Sequence, residues 1–581
     1  MASLAPPPSP DTRQASVTRT VNSIARRLRR WRDKRRASPG WTIAVALILA
    51  VMLLPVITIL VLAISPSAGV WHHLVSTVLP GAMWTTALLL LGVGVLTLVV
   101  GTGTAWLVTM HRFPGRAIVD RLLVVPLAMP TYIVAYCYVE LLDYAGPVQT
   151  AVRSLTGATG PRDYWFPDVR SLPGAILVFS AVLYPYVYLS ARASFVQQSV
   201  CALEVARTLG RTPLGAFWSV ALPLARPALA AGVALALMES LNDLGAVQHL
   251  GVETLSASVY ATWLQRSSLA GAAQIATAML LFVVLLLAAE RLARGQASSQ
   301  HTTGRYRSIP FQDIEGWRGY AAAGLCLLPF IVGFVVPAGV LMGHAVRHHR
   351  EAIAGGFWLA AANSLFLAAL VASVAVLLAL ILAYATRTAA NSFTRPAIRL
   401  AGIGYAIPGT VLALGLLVPL AAFDNAVDAV LRSSIGISSG LMLSGTVFAL
   451  TLAMVTRFIA VALGSVEAGL ERISPNLDAA ARALGETAVS TLVRVHIPIL
   501  LPALGAAALL VFVDAMKELP ATLLLRPFNF ETLATHIYGF AALEQFEQAA
   551  LGALTIVVAG LVPVLLLHKA VAGGRAGGGT Y

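Results

Sequence analysis

Glu204-Val205-Ala206-Arg207-Thr208-Leu209-Gly210, followed by Val220-Ala221-Leu222-Pro223, is the stretch from which the rest of the chain can be read. It returns as Ala479-Ala480-Ala481-Arg482-Ala483-Leu484-Gly485, followed by Val495-His496-Ile497-Pro498. In both copies the proline follows the glycine by thirteen positions, and both copies lie between long apolar runs. An alanine-rich turn, a glycine stop and a proline restart describe a short helix-turn-helix on a membrane surface. Two such loops in one chain predict two matched halves, each with a handle by which a soluble motor could move membrane helices.

Composition sets the solvent. Of 581 residues, 58% are hydrophobic and only 11% are charged, and the mean hydropathy is +0.80. Soluble domains carry about 25% charged residues. Apolar runs of eighteen or more residues recur, each long enough to cross a hydrocarbon core of about 30 Å. Twelve spans are predicted. Six cover roughly 41–64, 85–109, 122–142, 174–192, 226–246 and 270–290, and six cover roughly 318–342, 363–386, 398–421, 437–463, 500–522 and 547–568. Backbone groups in lipid must pair within their own segment, so these are helices. A β-barrel would show short alternating segments instead.

Charge sets the orientation. The net charge of +14 would suggest nucleic acid in a soluble protein; here the basic residues collect in alternate loops. Residues 1–40 end in Arg26-Arg27-Leu28-Arg29-Arg30-Trp31-Arg32-Asp33-Lys34-Arg35-Arg36, which holds the N-terminus in the cytoplasm. Arg112, Arg116 and Arg121 after span two then face inward. So do Arg291, Arg294, Arg305 and Arg307 after span six, and Arg387, Arg395 and Arg399 after span eight. Both Gly-Pro loops fall on the same side. No small-residue cleavage site follows the first apolar run, which argues against a signal peptide.

The halves repeat in parallel. Ala128-Met129-Pro130 matches Ala406-Ile407-Pro408 at an offset of 278, and Ala105-Trp106-Leu107 matches Ala383-Tyr384-Ala385 at the same offset; the loops match at 275. Six helices separate equivalent points, so both copies run the same way. The expected fold is an all-α polytopic membrane protein: two parallel six-helix repeats related by a pseudo-two-fold axis along the membrane normal. The expected organisation is a basic segment 1–40, a first transmembrane domain 41–290, a cytoplasmic linker 291–317, a second transmembrane domain 318–568 and a Gly-rich tail 569–581.

The loops resemble the signature loop of permease subunits of binding-protein-dependent ABC importers: Glu-Ala-Ala, three residues, Gly, nine residues, Ile, one residue, Leu-Pro. The first copy keeps Glu204, Ala206, Gly210, Leu222 and Pro223. The second keeps Ala480, Ala481, Gly485 and Pro498, has Ile497 for Leu, and has Ala479 at the glutamate position with Asp478 one residue earlier. The resemblance implies coupling helices that dock on two copies of a separate ATP-binding subunit, which would hold ATP and Mg; this chain itself would bind no cofactor. It also implies a periplasmic or lipid-anchored substrate-binding protein, a bacterial inner membrane and no nucleic-acid partner. An acid in the first turn favours the helix dipole and could pair with a partner's basic residue. Loss of Glu at 479 therefore predicts unequal docking, with Asp478 a partial substitute. The chain has no GxxxxGK[ST] phosphate loop, consistent with ATP hydrolysis on another polypeptide.

A second stretch, Asp514 to Thr535, resembles fused ferric-iron importer permeases, as does Glu239-Ser240-Leu241-Asn242-Asp243-Leu244-Gly245-Ala246. The resemblance covers residues 41–570, and thiamine importers share it, so ferric iron leads and thiamine or another small solute stays open. Ionisable groups within spans cost roughly 2.5–3.5 kcal/mol on insertion scales. Glu239, Asn242 and Asp243 coincide with Asp514, Lys517 and Glu518 at the 275 offset, and read as a polar stripe on one face of spans five and eleven. Two readings are open. One is an acidic vestibule for a hard cation, the metal and its ligands being unassigned. In the other, Lys517 neutralises Asp514 and the rest cap helix ends. On the first, Asp243→Asn with Glu518→Gln abolishes uptake while assembly survives.

Tyr132, Tyr136 and Tyr138, and Tyr184, Tyr186 and Tyr188, read as packing aromatics rather than ligands. His72-His73 and His348-His349 fall in predicted external loops, and Cys137, Cys201 and Cys326 form no CxxC pair. A gradient-driven secondary transporter would explain the repeat and the buried acids, but not two matched loops. A membrane enzyme would need a nucleophile–base pair or a His-rich cluster in the spans.

Overall fold

The computed structural model describes residues 39–65, 69–197, 208, 210–294, 312–354, 356–389 and 391–572. Among the described residues eleven helices are long and apolar enough to cross a membrane, and a bent pair is a twelfth candidate. They are α1 (Pro39–Ile64), α2 (Trp71–Met110), α3 (Thr131–Leu142), α4 (Leu172–Val196), α5 (Phe217–Asn242) and α6 (Leu269–Arg294). Then come α7 (Trp317–Ile353), α8 (Phe357–Thr388), α9 (Gly409–Ile435), α10 (Val447–Glu471), α11 (Ala488–Lys517) and α12 (Phe546–Leu566). The protein is an all-α, multi-pass membrane protein. Among the described residues the one strand pairing is two residues long, His111–Arg112 beside Gln312–Asp313.

Several expected boundaries move. The third span is broken: a helical run Arg116–Ala128 meets Thr131–Thr156 at 93°. Pro130 is the cause, because it cannot donate to a continuing helix and holds Met129 extended (ψ 117°). The ninth span breaks alike, and further along than expected. Residues Thr394–Ala401 form a separate short helix, Gly402–Ala406 a 3-10 turn, and α9 starts only after Pro408 (φ −61°, ψ 143°). The broken spans correspond piece by piece, since the short helix Arg116–Leu122 begins 278 positions before Thr394–Ala401. His72, His73 and His349 sit on helices rather than in loops, because α2 starts at Trp71 and α7 runs to Ile353, with a kink at His348.

The described residues form two compact units. One comprises residues up to Leu53, Ser373–Tyr405 and Phe458–Ala508; the other comprises Leu54–Ala372, Ala406–Arg457 and the chain from Leu509 onward. In the larger unit α4 packs against both α2 and α5. The closest approach is at Gly101 on α2, where a Cβ would lie 2.7 Å from Val187 Cβ, 2.8 Å from Tyr188 N and 2.9 Å from Tyr184 O. Small residues let helices in lipid approach this closely. Two of those atoms are backbone and cannot turn away, so Gly101→Ala is expected to destabilise the protein by about 1–3 kcal/mol. Thermal denaturation of the detergent-solubilised protein reads this directly.

In the larger unit Tyr132, Tyr136, Tyr184 and Tyr188 are all buried. Tyr136 meets Tyr132, His249 and Phe546 edge-on, with centroids 5.8, 4.5 and 5.4 Å away. Tyr188 lies apart from that cluster and donates to Asp120 Oδ1 at 2.5 Å, beside the Asp120–Arg192 ion pair.

Candidate functional site

The two Gly-Pro loops are built alike wherever both are described. Gly210 and Gly485 take left-handed φ values of 80° and 84°. A threonine caps the next helix in each: Thr212 Oγ1 accepts from Gly215 N at 3.1 Å, and Thr487 Oγ1 from Ser490 N at 3.2 Å. One helical turn follows (Pro213–Ala216, Ala488–Thr491), then a π turn (Phe217–Ala221, Leu492–His496). The expected proline restart is therefore corrected. The helix restarts at the threonine cap, and Pro223 and Pro498 lie just inside the continuing helix. Proline's missing N–H and its clash with the preceding turn favour the wider π winding just before it. Leu222 and Pro223 line an apolar groove of about 820 Å³ whose charged lining residues are Arg226 and Glu290. Glu204 and Ala206 lie outside the described residues.

The second loop can be followed throughout. Ser474 caps the helix Pro475–Ala483, accepting from Asn476 N. Glu486 N donates to Ala481 O at 3.0 Å and Gly485 N to Arg482 O at 3.1 Å. That pair of bonds closes a helix on a left-handed glycine, where Gly pays no Cβ penalty. Ala479, Ala480, Ala483 and Leu484 face out, Leu484 with 84% of its surface exposed, while Ala481 is buried. Glu486 is held below the usual carboxylate range by hydrogen bonding from Ser490 and by the Arg494 guanidinium.

Asp478 is not an outward substitute for the missing glutamate. Its Oδ2 lies 2.9 Å from Arg387 Nη2, and its Oδ1 lies 2.8 Å from His496 Nε2. Both partners belong to this chain. The physical reason is helical phase: one residue before Ala479 is about 100° round the helix, enough to turn a side chain from solvent to the interior.

The acids after spans five and eleven also sit differently from the expected stripe. α5 stops at Asn242 and α11 at Lys517, one residue before each second acid. Asp243 Oδ1 accepts from Ala246 N at 2.7 Å, at the start of the helix Gly245–His249. Glu518 accepts from Ala521 N at 3.0 Å and Thr522 N at 3.1 Å, at the start of Pro520–Leu525. These acids end one helix and begin another, as N-cap side chains do. Lys517 pairs with Asp514 at 2.8 Å. Asn242 Oδ1 accepts from Gly409 N at 2.6 Å, satisfying a donor at the first turn of α9.

Arg457, in the middle of α10, is the residue that reading the acids alone leaves out. Only 5% exposed, it reaches Glu518 Oε1 at 3.2 Å and Glu239 Oε2 at 3.8 Å. Glu518 is equally buried at 5%. The carboxylates of the two halves thus converge on one guanidinium. An arginine inside an apolar run was visible in the sequence; that it meets acids 61 positions after it and 218 before it was not. The repeat appears again in backbone bonds. Leu255 N donates to Thr86 Oγ1 at 3.0 Å, and 278 positions on Leu533 N donates to Ser364 Oγ at 2.7 Å.

Residues 97–295 match the family described as binding-protein-dependent transport system inner membrane component. The chain is 25% identical over 488 residues to the Fe(3+)-transport system permease protein FbpB 2 of Haemophilus influenzae, covering 83% of this chain and 88% of that one. It is 30% identical over 200 residues to a Salmonella paratyphi A protein named as a 2-aminoethylphosphonate transport system permease, PhnU, covering 34% of this chain and 68% of that one. It is 29% identical over 269 residues to the sulfate transport system permease protein CysT of Salmonella typhimurium, covering 44% of this chain and 92% of that one.

Proposed function

Given that the chain belongs to the family of binding-protein-dependent transport system inner membrane components, we propose that it is the membrane subunit of an ATP-driven importer of ferric iron. In this reading two copies of an ATP-binding subunit, carrying ATP and Mg, dock on the two Gly-hinged loops. A periplasmic or lipid-anchored binding protein delivers the substrate at the other face. Two six-helix halves, 41–290 and 318–568, rock about a pseudo-two-fold axis along the membrane normal. The N-terminus and both loops lie in the cytoplasm, as the arginine-rich loops favour. The chain moves its cargo and catalyses no covalent step.

The observation that supports this most is the paired construction of the loops. Left-handed glycine, threonine cap, helical turn, π turn and proline recur at one fixed offset. A lone amphipathic connector has no reason to be repeated in that detail. Ferric iron is favoured by the long match to an iron permease that spans both halves of this chain. A small oxyanion is a second substrate reading. It is favoured by the sulfate permease match.

Proteoliposomes holding the full complex test the proposal. Radiolabelled ferric iron is expected to accumulate only when the ATP-binding subunit, the binding protein and ATP are all present. Accumulation by this chain alone on an ion gradient would instead identify a secondary transporter. Accumulation of sulfate but not iron would move the substrate to the oxyanions.

A further inference from the structure

We propose that Asp478, Arg387 and His496 form a clamp that makes the second coupling loop and the adjoining end of α8 move as one body. This rests on the coupling role proposed above and adds the element to which the motion is delivered.

The residues converge from three parts of the chain. Asp478 is on the loop helix Pro475–Ala483, Arg387 is in the last turn of α8, and His496 is in the π turn of α11. The carboxylate divides its two oxygens between the other two side chains, at 2.9 Å and 2.8 Å. Arg387 also donates to Leu470 O at 3.3 Å and to Ile473 O at 3.0 Å. It thereby grips the end of α10 and the chain leading into the loop. One turn earlier, Tyr384 donates to Ala488 O at 2.9 Å, at the start of the helix that leaves the loop. Its ring stands edge-on to His496 (centroids 5.3 Å) and to Trp41 (5.2 Å). The end of α8 therefore holds the loop at its entry, its centre and its exit.

A loop held only through its two flanking helices can tilt without moving a third. This one cannot leave α8 without drawing Asp478 away from the Arg387 guanidinium and breaking the Arg387 bonds to Leu470 O and Ile473 O, and hydrogen bonds from a charged donor are about twice as strong as neutral ones. His496 is fully buried, so water cannot readily replace the lost partner there.

The clamp belongs to one half. The positions matching Asp478, Arg387 and His496 in the first half are Leu203, Thr109 and Ala221. The position matching Tyr384 is Trp106, which packs on Phe217 and Phe195 with centroids 4.9 and 5.4 Å away. The loop with alanine in place of the signature glutamate is the one fastened from inside by a carboxylate. The two halves would transmit the same stroke through unlike fittings, one ionic and one aromatic.

The test uses the whole transporter, comparing Asp478→Asn, Asp478→Glu and Tyr384→Phe with the unsubstituted chain. Two quantities are read: ATP-binding subunit copurified per chain, and substrate moved per ATP hydrolysed in proteoliposomes. Asp478→Asn is expected to retain the ATP-binding subunit and lower transport per ATP at least fivefold, with Asp478→Glu recovering at least half of that loss. Transport per ATP within twofold of the unsubstituted complex for Asp478→Asn would overturn the clamp. So would equal losses of assembly and coupling, which mark a purely structural role. If Asp478→Asn does not reach the membrane, Tyr384→Phe decides. It removes one hydroxyl and is expected to lower transport per ATP at least twofold, and an unchanged ratio overturns the proposal. Failure of the unsubstituted chain to bind any ATP-binding subunit would instead refute the coupling role itself.

Discussion

Arg457→Met is expected to lower the stability of the solubilised protein by about 3–5 kcal/mol and to abolish transport. The substitution keeps most of the side-chain volume and removes the charge on which Glu239 and Glu518 converge. Glu518 would stay buried at 5% exposure, still accepting from Ala521 N and from Thr522 but without a counter-charge. Desolvating an unpaired carboxylate is what makes the loss large; the pair itself contributes much less than this. Arg457→Lys keeps the charge but not the fork that reaches two acids, so its loss is expected to be smaller. Thermal denaturation in detergent measures the first quantity and uptake in proteoliposomes the second. A Met variant as stable as the parent would show that the cluster is hydrated, and would reopen the vestibule reading of these acids. The same geometry revises the expectation for Glu518→Gln. Lost uptake there would reflect a broken ion pair and a weakened cap as much as a lost cation ligand.

Leu484→Asp is expected to release the ATP-binding subunit docked on the second loop while leaving the membrane fold intact. Leu484 follows the loop helix directly, with 84% of its surface exposed and the left-handed Gly485 behind it. Exposure in the free chain means the substitution costs the fold little. In the docked complex the leucine would be covered. Losing about 2 kcal/mol of apolar burial weakens binding roughly 30-fold, and an unpaired carboxylate in its place weakens it further. Copurification of the two subunits measures the effect, and Leu484→Met is expected to bind nearly as well as the parent. The matching first-half residue is Leu209, so a loss confined to one loop should leave a complex with a single ATP-binding subunit.

The sequence alone determined that this is a helical membrane protein. Backbone polar groups in lipid leave almost no alternative to helices once runs of eighteen apolar residues are present. It also determined the repeat, because a fixed offset between motifs needs no coordinates to be seen. The left-handed glycines were legible as well, since Gly is the residue for which that conformation costs nothing. Tertiary structure decided where helices stop. Asn242 and Lys517 end their helices although the apolar pattern continues past both, because Asp243 and Glu518 each cap a new short helix. It decided the partners of Asp478 and Arg457 as well, whereas the Lys517–Asp514 pair, three positions apart, was legible locally. Asp478 read as a residue for another protein and faces Arg387; Arg457 read as part of a span and joins acids from both halves. Hydrophobic periodicity is a local property of the chain. The partner of a buried charge is set by which distant segments fold against it, and no local pattern encodes that.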